Sequence, residues 1–412
     1  MITLDLSIDW NAAPQPLRHT WQGLINIDQF HWMMRADCLE HLLMAQKELG
    51  ARHVRACAMY CELTRVYGQD PVWFGQQKKN EGRANFQFTD AVIDRLLDIG
   101  LAPIITTCFV PPALASTDTA VWTPGARIAP PRDIGLWREF ISGHMRHLRQ
   151  RYGRAIMDDW YFEVWNEPNL TSFFEGSKED FFGLYRESFA AIKGVLPQAR
   201  IGGPSTARGE WLEDFLDWTQ REGCLPDYLI SHIYNNDSES GALSPFDGPQ
   251  EDAASRSPHF ASGVIRGFRK QADAFGFKGE IHWNEWGRSW LPSDPVRETP
   301  VEAAFVVKTM AEVSDQADAF AYWCLSDIYD QVGYGRETFH GNYGMLNLQG
   351  LRKPAWFAHM MLNRLATDRL VVSSNDAENV AGAIATRDNG RIEVLVYSLH
   401  EVEGTHIQFA LP

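Results

Sequence analysis

Cysteine is scarce in this chain, with six residues (Cys38, Cys57, Cys61, Cys108, Cys224 and Cys324) among 412. Only Cys57 and Cys61 lie close together; they form no CxxC pair, and no histidine stands at zinc-finger spacing from them. This argues against the dense disulfide framework of a short secreted domain and against a structural zinc site, so the thiols are read as reduced. Positive charge is also short. Lys plus Arg number 38 against 53 Asp plus Glu, a formal net charge of −15, and no basic tract breaks the acidic balance. Neither nucleic acid nor an anionic membrane is expected as a partner. No apolar run approaches the ~20 residues of a membrane helix. Met1 to Trp10 alternates apolar and polar letters with Asp5 and Asp9 inside it. It has neither the basic n-region nor the apolar h-region of an export signal, so a cytoplasmic location is expected. HExxH is missing too, and no metal or other cofactor is expected.

What is present is an ordinary globular composition, 45% apolar and 22% charged letters. A (β/α)8 barrel can use roughly 250 to 400 residues as one domain, so the length accommodates one large core. Aromatics reach 12%, with 15 Trp. They fill cores, and they also suit a site that stacks on flat apolar faces such as sugar rings.

From about residue 20 to 365, short β-rich runs alternate with helical patterns, the signature of a parallel α/β fold. The strands are expected at Gly23–Asp28, His53–Ala58, Ala102–Cys108, Trp160–Trp165, Arg200–Gly203, Tyr228–Tyr234, Glu280–Glu285 and Ala319–Leu325. Helices are expected at Leu39–Leu49, Ala91–Ile99, Ile134–Tyr152, Phe181–Val195, Trp211–Arg221, Val264–Phe275, Val301–Ala317 and Ala355–Leu365. Eight of each predict a TIM barrel over residues 16–366. Gly50, Gly100, Gly223 and Gly276 close helices just before strands, which makes those connections short. The opposite connections are longer, and in such a barrel they follow the strand C-termini and carry the active site. One of them, Asn235 to Gly263, rich in Ser, Asp, Gly and Pro, reads as a mobile wall of that site or a solvated insertion.

After Leu365 the pattern alternates without helices, with Asn389-Gly390 as a hairpin turn, and Ile2 to Ile8 alternates likewise. Residues 1–15 and 367–412 are therefore expected to form a small accessory β-sandwich on the barrel. Its strand count is low for two sheets, which leaves open a minimal sandwich or a longer natural sequence.

Two segments carry chemistry. In Trp160 to Asn169, Trp-Tyr-Phe-Glu-Val-Trp-Asn-Glu-Pro-Asn, period two places Glu163, Trp165 and Glu167 on one side, with Pro168 ending the ladder after Glu167. A single glutamate at a strand tip is ordinarily a loop cap, but this one has Asn166 and a run of aromatics beside it, which can raise a carboxyl pKa by desolvation. In Gly279 to Trp290 an alternating run again ends on a glutamate between aromatics, Glu285. Two carboxyls at the tips of strands four and seven face each other across a barrel mouth. Glycoside hydrolysis needs such a pair, one to protonate the leaving oxygen and one to attack or to activate water. His232 and Tyr234 share one face of strand six near its end.

These residues resemble glycoside hydrolase family 39, the family of β-xylosidases and α-L-iduronidase, within the clan of retaining barrel enzymes. The likeness rests on Phe109–Ser116, Trp160–Asn169, Gly202–Pro204, Ser231–Tyr234, Tyr322–Asp327, Phe339–Leu346 and Lys353-Pro354. The resemblance implies Glu167 as acid/base and Glu285 as nucleophile. It implies that Glu167 is protonated at rest because of the nearby Glu285 anion, and that Asn166 bonds the sugar 2-hydroxyl. It further implies that Tyr234 donates to Glu285, that His232 tunes the acid/base, that Trp323 is the platform under the sugar and that Phe109 is a subsite wall. Asp330 stands where β-xylosidases of the family carry a glutamate that bonds the sugar. One departure matters more. After strand two the family has Arg, a variable residue and a sugar-contacting His, whereas Val54-Arg55-Ala56-Cys57 puts Cys57 in that place. The hydroxyl then needs another donor or the sugar differs there, so a plain xylosidase is discounted. Tyr60, Glu62, His31 and Trp32 are candidates to compensate.

The expected activity is a retaining exo-glycosidase on a short glycoside or oligosaccharide, with homo-oligomerisation left open. An endo-acting polysaccharide hydrolase follows if the 235–263 loop leaves an open cleft. A non-catalytic carbohydrate-binding barrel calls for the loss of one carboxylate, and both are present.

Overall fold

A computed structural model describes residues 2–68, 83–122, 125–238, 255–329, 335–400 and 405–410. Eight strands form one parallel sheet in chain order: β1 Leu24–Gln29, β2 His53–Cys57, β3 Ala102–Thr106, β4 Tyr161–Glu163, β5 Arg200–Ala207, β6 Tyr228–Tyr234, β7 Glu280–Gly287 and β8 Ala319–Tyr322. Beside β8, Phe320 N donates to Thr20 O at 2.8 Å and Leu325 N to Asn26 O at 2.9 Å, bringing β8 round to β1. The helices are α1 Ala36–Leu49, α2 Gln87–Asp98, α3 Ile134–Met157, α4 Lys178–Val195, α5 Leu212–Arg221, α6 Phe260–Phe275, α7 Pro300–Val313 and α8 Pro354–Leu362. This is the (β/α)8 barrel that the alternation predicts. Among the described residues no helix is long and apolar enough to cross a membrane.

Local chemistry explains the boundaries. Gly50 and Gly276 close α1 and α6 in the left-handed conformation, φ 75° and 84°, which glycine adopts without a Cβ penalty. Ser177 and Asp180 cap α4 reciprocally, each side chain accepting from the other's backbone N–H. Gly153 leaves helical geometry (φ 74°, ψ 165°), which is where the apolar pattern of α3 stops. Three strands end two or three residues earlier than their sequence patterns suggest, β3 at Thr106, β4 at Glu163 and β8 at Tyr322, and β2 ends one residue early at Cys57. All three ends lie where the chain leaves the sheet to build the site.

Inside the barrel, Leu24, Ile104 and Ala321 form an apolar layer with Tyr161 and Ala319. Tyr228 reaches across to donate to Phe162 O at 3.1 Å. Gly202 makes room for it, since a Cβ there would stand 2.4 Å from Tyr228 Cζ and 2.5 Å from Ile230 Cδ1. Outside, Trp137, Trp283, Trp286 and Trp356 belong to one continuous core between strands and helices.

The two chain ends build the separate β-structure. Its strands Ile2–Asp9, Gln15–Pro16, Asp368–Ser374, Ala381–Asp388, Arg391–Ser398 and Thr405–Ala410 form one six-stranded sheet. Ile2–Asp9 lies antiparallel to Asp368–Ser374 and parallel to Thr405–Ala410. Asn389 and Gly390 turn the hairpin with φ 45° and 85°, the paired positive values that an Asn-Gly turn supplies. Ile384 joins the barrel's core, and Arg369 Nη2 donates to Ala311 O of α7 at 2.7 Å.

Candidate active site

The site starts from a charged residue inside a buried strand. Arg55 is fully buried in β2 and forms a bidentate pair with Glu163 of β4, Nε to Oε2 and Nη2 to Oε1, both at 2.9 Å. A planar guanidinium matches a carboxylate in this way, and with both groups out of water each needs the other. Glu163 also accepts from Asn284 Nδ2 at 2.9 Å and from the Ser205 hydroxyl. Burial alone would raise its pKa; Arg55 and these donors outweigh that and hold the carboxyl below its ordinary range. The remaining N–H groups of Arg55 point toward the mouth, to Asn166 Oδ1 at 2.6 Å and Glu285 Oε2 at 3.2 Å.

Glu167 sits above this layer, but not by strand alternation. The ladder ends at Glu163, and Trp165 and Glu167 take left-handed backbone, φ 71° and 47°. Such non-glycine conformations cost of order 1–3 kcal/mol each and concentrate at functional sites. Trp165 thereby packs edge-on to Phe109 and Phe174, away from the two glutamates with which period two had grouped it. Glu167 is held by its backbone N–H donating to Ser205 O at 2.8 Å. On the facing side, β7 slips register against β8 between Trp283 and Trp286. A slip of this kind lets consecutive residues face the same way. Asn284 bonds Glu163, and Glu285 bonds Arg55.

Glu167 and Glu285 are 6% and 7% exposed, and one carboxyl oxygen of each lies within 4.8 Å of the other and of a His232 ring nitrogen. His232 Nδ1 is 2.9 Å from Glu167 Oε1, and the Tyr234 hydroxyl donates to Glu285 Oε1 at 2.9 Å. Burial pushes Glu167 up to about 7, with Arg55 and Arg208 pulling the other way. Desolvation is thus the leading cause, and the repulsion between the two carboxyls that the sequence leads one to expect adds to it. Burial also raises Glu285, and the charge of Glu167 adds to this, with His232, Arg55 and Tyr234 opposing. The same trio is the one group of donors among the described residues that could converge on a metal ion. Its atoms are already taken up by one another, by Tyr234 and by Arg55, whose cation stands 3.2 Å from Glu285.

A cavity of about 420 Å3 opens over this pair. Asn166, Cys57, Tyr234 and Trp323 line it with the two glutamates. Cys57 Sγ lies 3.3 Å from Asn166 Oδ1. Aromatic rings supply much of the remaining wall: Trp122 with Phe173, ring centres 5.5 Å apart, Trp323 with Tyr329 and Tyr343, 6.2 and 5.1 Å apart in succession, and Trp290. Phe109 does not reach the cavity. The chain turns directly after β3, Cys108 N donating to Thr106 O at 2.9 Å, and the ring packs behind Trp122 at 5.7 Å. None of the four candidates to replace the missing histidine lines the cavity: Tyr60 bonds His144, Glu62 pairs with Arg127, Trp32 bonds Asp28 and His31 is buried elsewhere. Asp330 and residues 239–254 of the long loop lie outside the described residues.

The family model described as "Glycosyl hydrolases family 39" matches residues 4–406. The chain belongs to glycosyl hydrolase family 39. This family 39 chain is 34% identical over 408 residues to a beta-xylosidase of Caldicellulosiruptor saccharolyticus, covering 97% of this chain and 79% of that protein. It is 27% identical over 406 residues to a beta-xylosidase of Geobacillus stearothermophilus, covering 97% and 78%. The crystal structure of a monomeric beta-xylosidase from Caulobacter crescentus CB15 superposes with a TM-score of 0.82 at 29% identity, covering 100% of this chain and 84% of that one. As a family 39 member the chain is an O-glycosidase, and its substrate is a carbohydrate.

Several residues of this family 39 site escape reading from sequence. Arg55 and Glu163 each interrupt an apolar strand with a charge, which is a signal, but their pairing across β2, β3 and β4 is not local. Asp237 lines the cavity, accepts from Tyr234 N at 2.7 Å and is pushed up to about 7 by burial; nothing in its neighbourhood of Asn and Ser announces it. The motifs Tyr322–Asp327 and Lys353-Pro354 meet in a buried ion pair, Lys353 Nζ to Asp327 Oδ2 at 2.9 Å, with Asp327 Oδ1 accepting from Gly344 N at 2.7 Å. That pair ties the Trp323 loop to the start of α8.

Proposed function

We propose that this chain is a retaining, exo-acting glycosidase on short glycosides, β-xylosidase-like, with Glu167 as acid/base and Glu285 as nucleophile. The observation that carries this is the separation: a Glu167 oxygen and a Glu285 oxygen lie within 4.8 Å. Between whole carboxyl groups, retaining pairs stand about 5–5.5 Å apart and inverting pairs roughly 6.5–9.5 Å to admit a water, and so close an approach of single oxygens favours the retaining spacing. Glu285 attacks the anomeric carbon while Glu167 passes its proton to the leaving oxygen. A glycosyl ester on Glu285 and a free alcohol result. Glu167, now a carboxylate, takes a proton from water as that water attacks the same carbon, and the ester bond breaks. Arg55 and Tyr234 orient the two oxygens of Glu285. Asn166, its oxygen occupied by Arg55, has its NH2 to offer to the sugar 2-hydroxyl, and Trp323 offers the platform beneath the ring.

The cavity of about 420 Å3 stands toward the small end of ligand pockets, roughly 300–1,000 Å3, which favours a short glycoside. Cys57 brings a weak thiol donor where the resemblance calls for an imidazole, so the preferred sugar makes little demand at that hydroxyl. A panel of aryl pentosides and hexosides in both anomeric forms tests the reading, with the first-formed anomer followed by proton NMR. The expected outcome is turnover of a β-pentoside or a close relative with retained configuration; inversion contradicts the assignment of Glu285.

A further inference from the structure

Resting on the reading of Glu167 as acid/base, a chain of hydrogen bonds beneath the site decides which atom carries the proton. Glu163 is ionised against Arg55 and can only accept. Asn284 therefore presents its NH2 to Glu163 Oε2 at 2.9 Å, which turns its carbonyl oxygen to His232 Nε2 at 3.0 Å. An amide oxygen donates nothing, so the hydrogen of that bond belongs to Nε2. Arg55 Nη2 stands 3.4 Å from the same nitrogen, but its two N–H groups serve the shorter contacts to Glu163 at 2.9 Å and Asn166 at 2.6 Å. His232 is fully buried, and burial lowers its pKa to about 4, so the ring carries one proton. With that proton on Nε2, Nδ1 faces Glu167 Oε1 at 2.9 Å as a lone pair.

We infer that Asn284 is a positioning residue: anchored by Glu163, it locks His232 as the Nε2–H tautomer, so that Glu167 must be the donor in its hydrogen bond to Nδ1. That hydrogen bond adds to the desolvation that keeps the resting acid protonated. Once Glu167 has given its proton to the leaving group, its carboxylate faces a lone pair and not a donor, which keeps it basic enough to deprotonate water. The other groups facing Glu167 and His232 are Arg55 and Cys57 from β2, Glu163 from β4, Arg208 after β5, Tyr234 and Asp237 at the end of β6, and Glu285 on β7. Arg55 and Arg208 favour the Glu167 carboxylate, while the charges of Glu285 and Asp237 oppose it, and a change at Asn284 leaves all of them in place.

The test is the pH profile of kcat/KM on a glycoside with a poor leaving group, in Asn284→Ala and Asn284→Asp. Without the amide acceptor, the ring can move its hydrogen to Nδ1 and donate to the Glu167 carboxylate. The alkaline limb of Asn284→Ala is then expected about one pH unit lower, a tenfold loss on that limb. Aspartate keeps an acceptor toward Nε2 in either protonation state, so Asn284→Asp leaves the limb in place or moves it to higher pH. Nitrogen-15 NMR of the histidine-labelled wild-type enzyme, with the His232 resonance identified by its loss in His232→Gln, should show a protonated Nε2 and a bare Nδ1. Protonated Nδ1 in the wild type overturns the inference, also where the alanine variant does not fold. So does an alkaline limb unmoved in Asn284→Ala while Glu167→Ala abolishes it. Survival of that limb in Glu167→Ala instead removes the acid/base assignment itself, and this inference with it.

Discussion

Glu167 and Glu285 have different neighbours, and their variants should fail differently. Glu167→Ala is expected to lose about 10²–10⁴ in turnover of glycosides with poor leaving groups, the usual contribution of a general acid, while aryl glycosides with good leaving groups keep their first step. Glu285→Ala should lose both; steady-state rates on the two substrate types check this. The raised pKa of Glu167 also has a stability consequence. A carboxyl shifted from 4.5 to about 7 in the folded state costs nothing below the lower value and most above the higher one. Glu167→Gln is accordingly expected to stabilise the fold by roughly 1–3 kcal/mol near pH 8 and hardly at all near pH 4.5, as read from denaturant melts at both. Both glutamates were legible in sequence because each ends an apolar run beside aromatics. Arg55 and Glu163 were visible as charges, yet their partnership joins strands more than 100 residues apart, which no local pattern encodes. Phe109 was misplaced because a wall and a ring packed behind that wall look alike in sequence.

Element by element, the eight strands and eight helices could be read from periodicity, since strands buried on both faces run continuously apolar and helices keep their stripe. What periodicity misses is where a strand stops or slips. β4 ends at Glu163 because left-handed residues follow, and β7 slips at Trp283 to Trp286, which lets Asn284 and Glu285 both take part in the site. Gly202 gives a test at this scale. A Cβ would meet the buried Tyr228 ring at 2.4 Å, a rigid neighbour with little room to yield. Gly202→Ala should destabilise the fold by about 1–3 kcal/mol, the usual cost of overpacking, as a lowered denaturation midpoint at unchanged m-value.

Across the whole molecule, the barrel brings eight strand ends to one mouth, and the accessory sheet of the two chain ends packs on the flank at α7, away from the cavity-lining residues. Chemistry and scaffold are thus separable in the fold, and the claim that joins them is that Glu285 becomes covalently bound to the sugar. A 2-deoxy-2-fluoro glycoside with an activated leaving group tests this most directly, because the fluorine slows release of the glycosyl enzyme. Mass spectrometry of the peptic digest should find one fluorosugar per chain, on the peptide carrying Glu285. A label on any other residue, or turnover of the reagent to an inverted product with no label at all, would contradict the account.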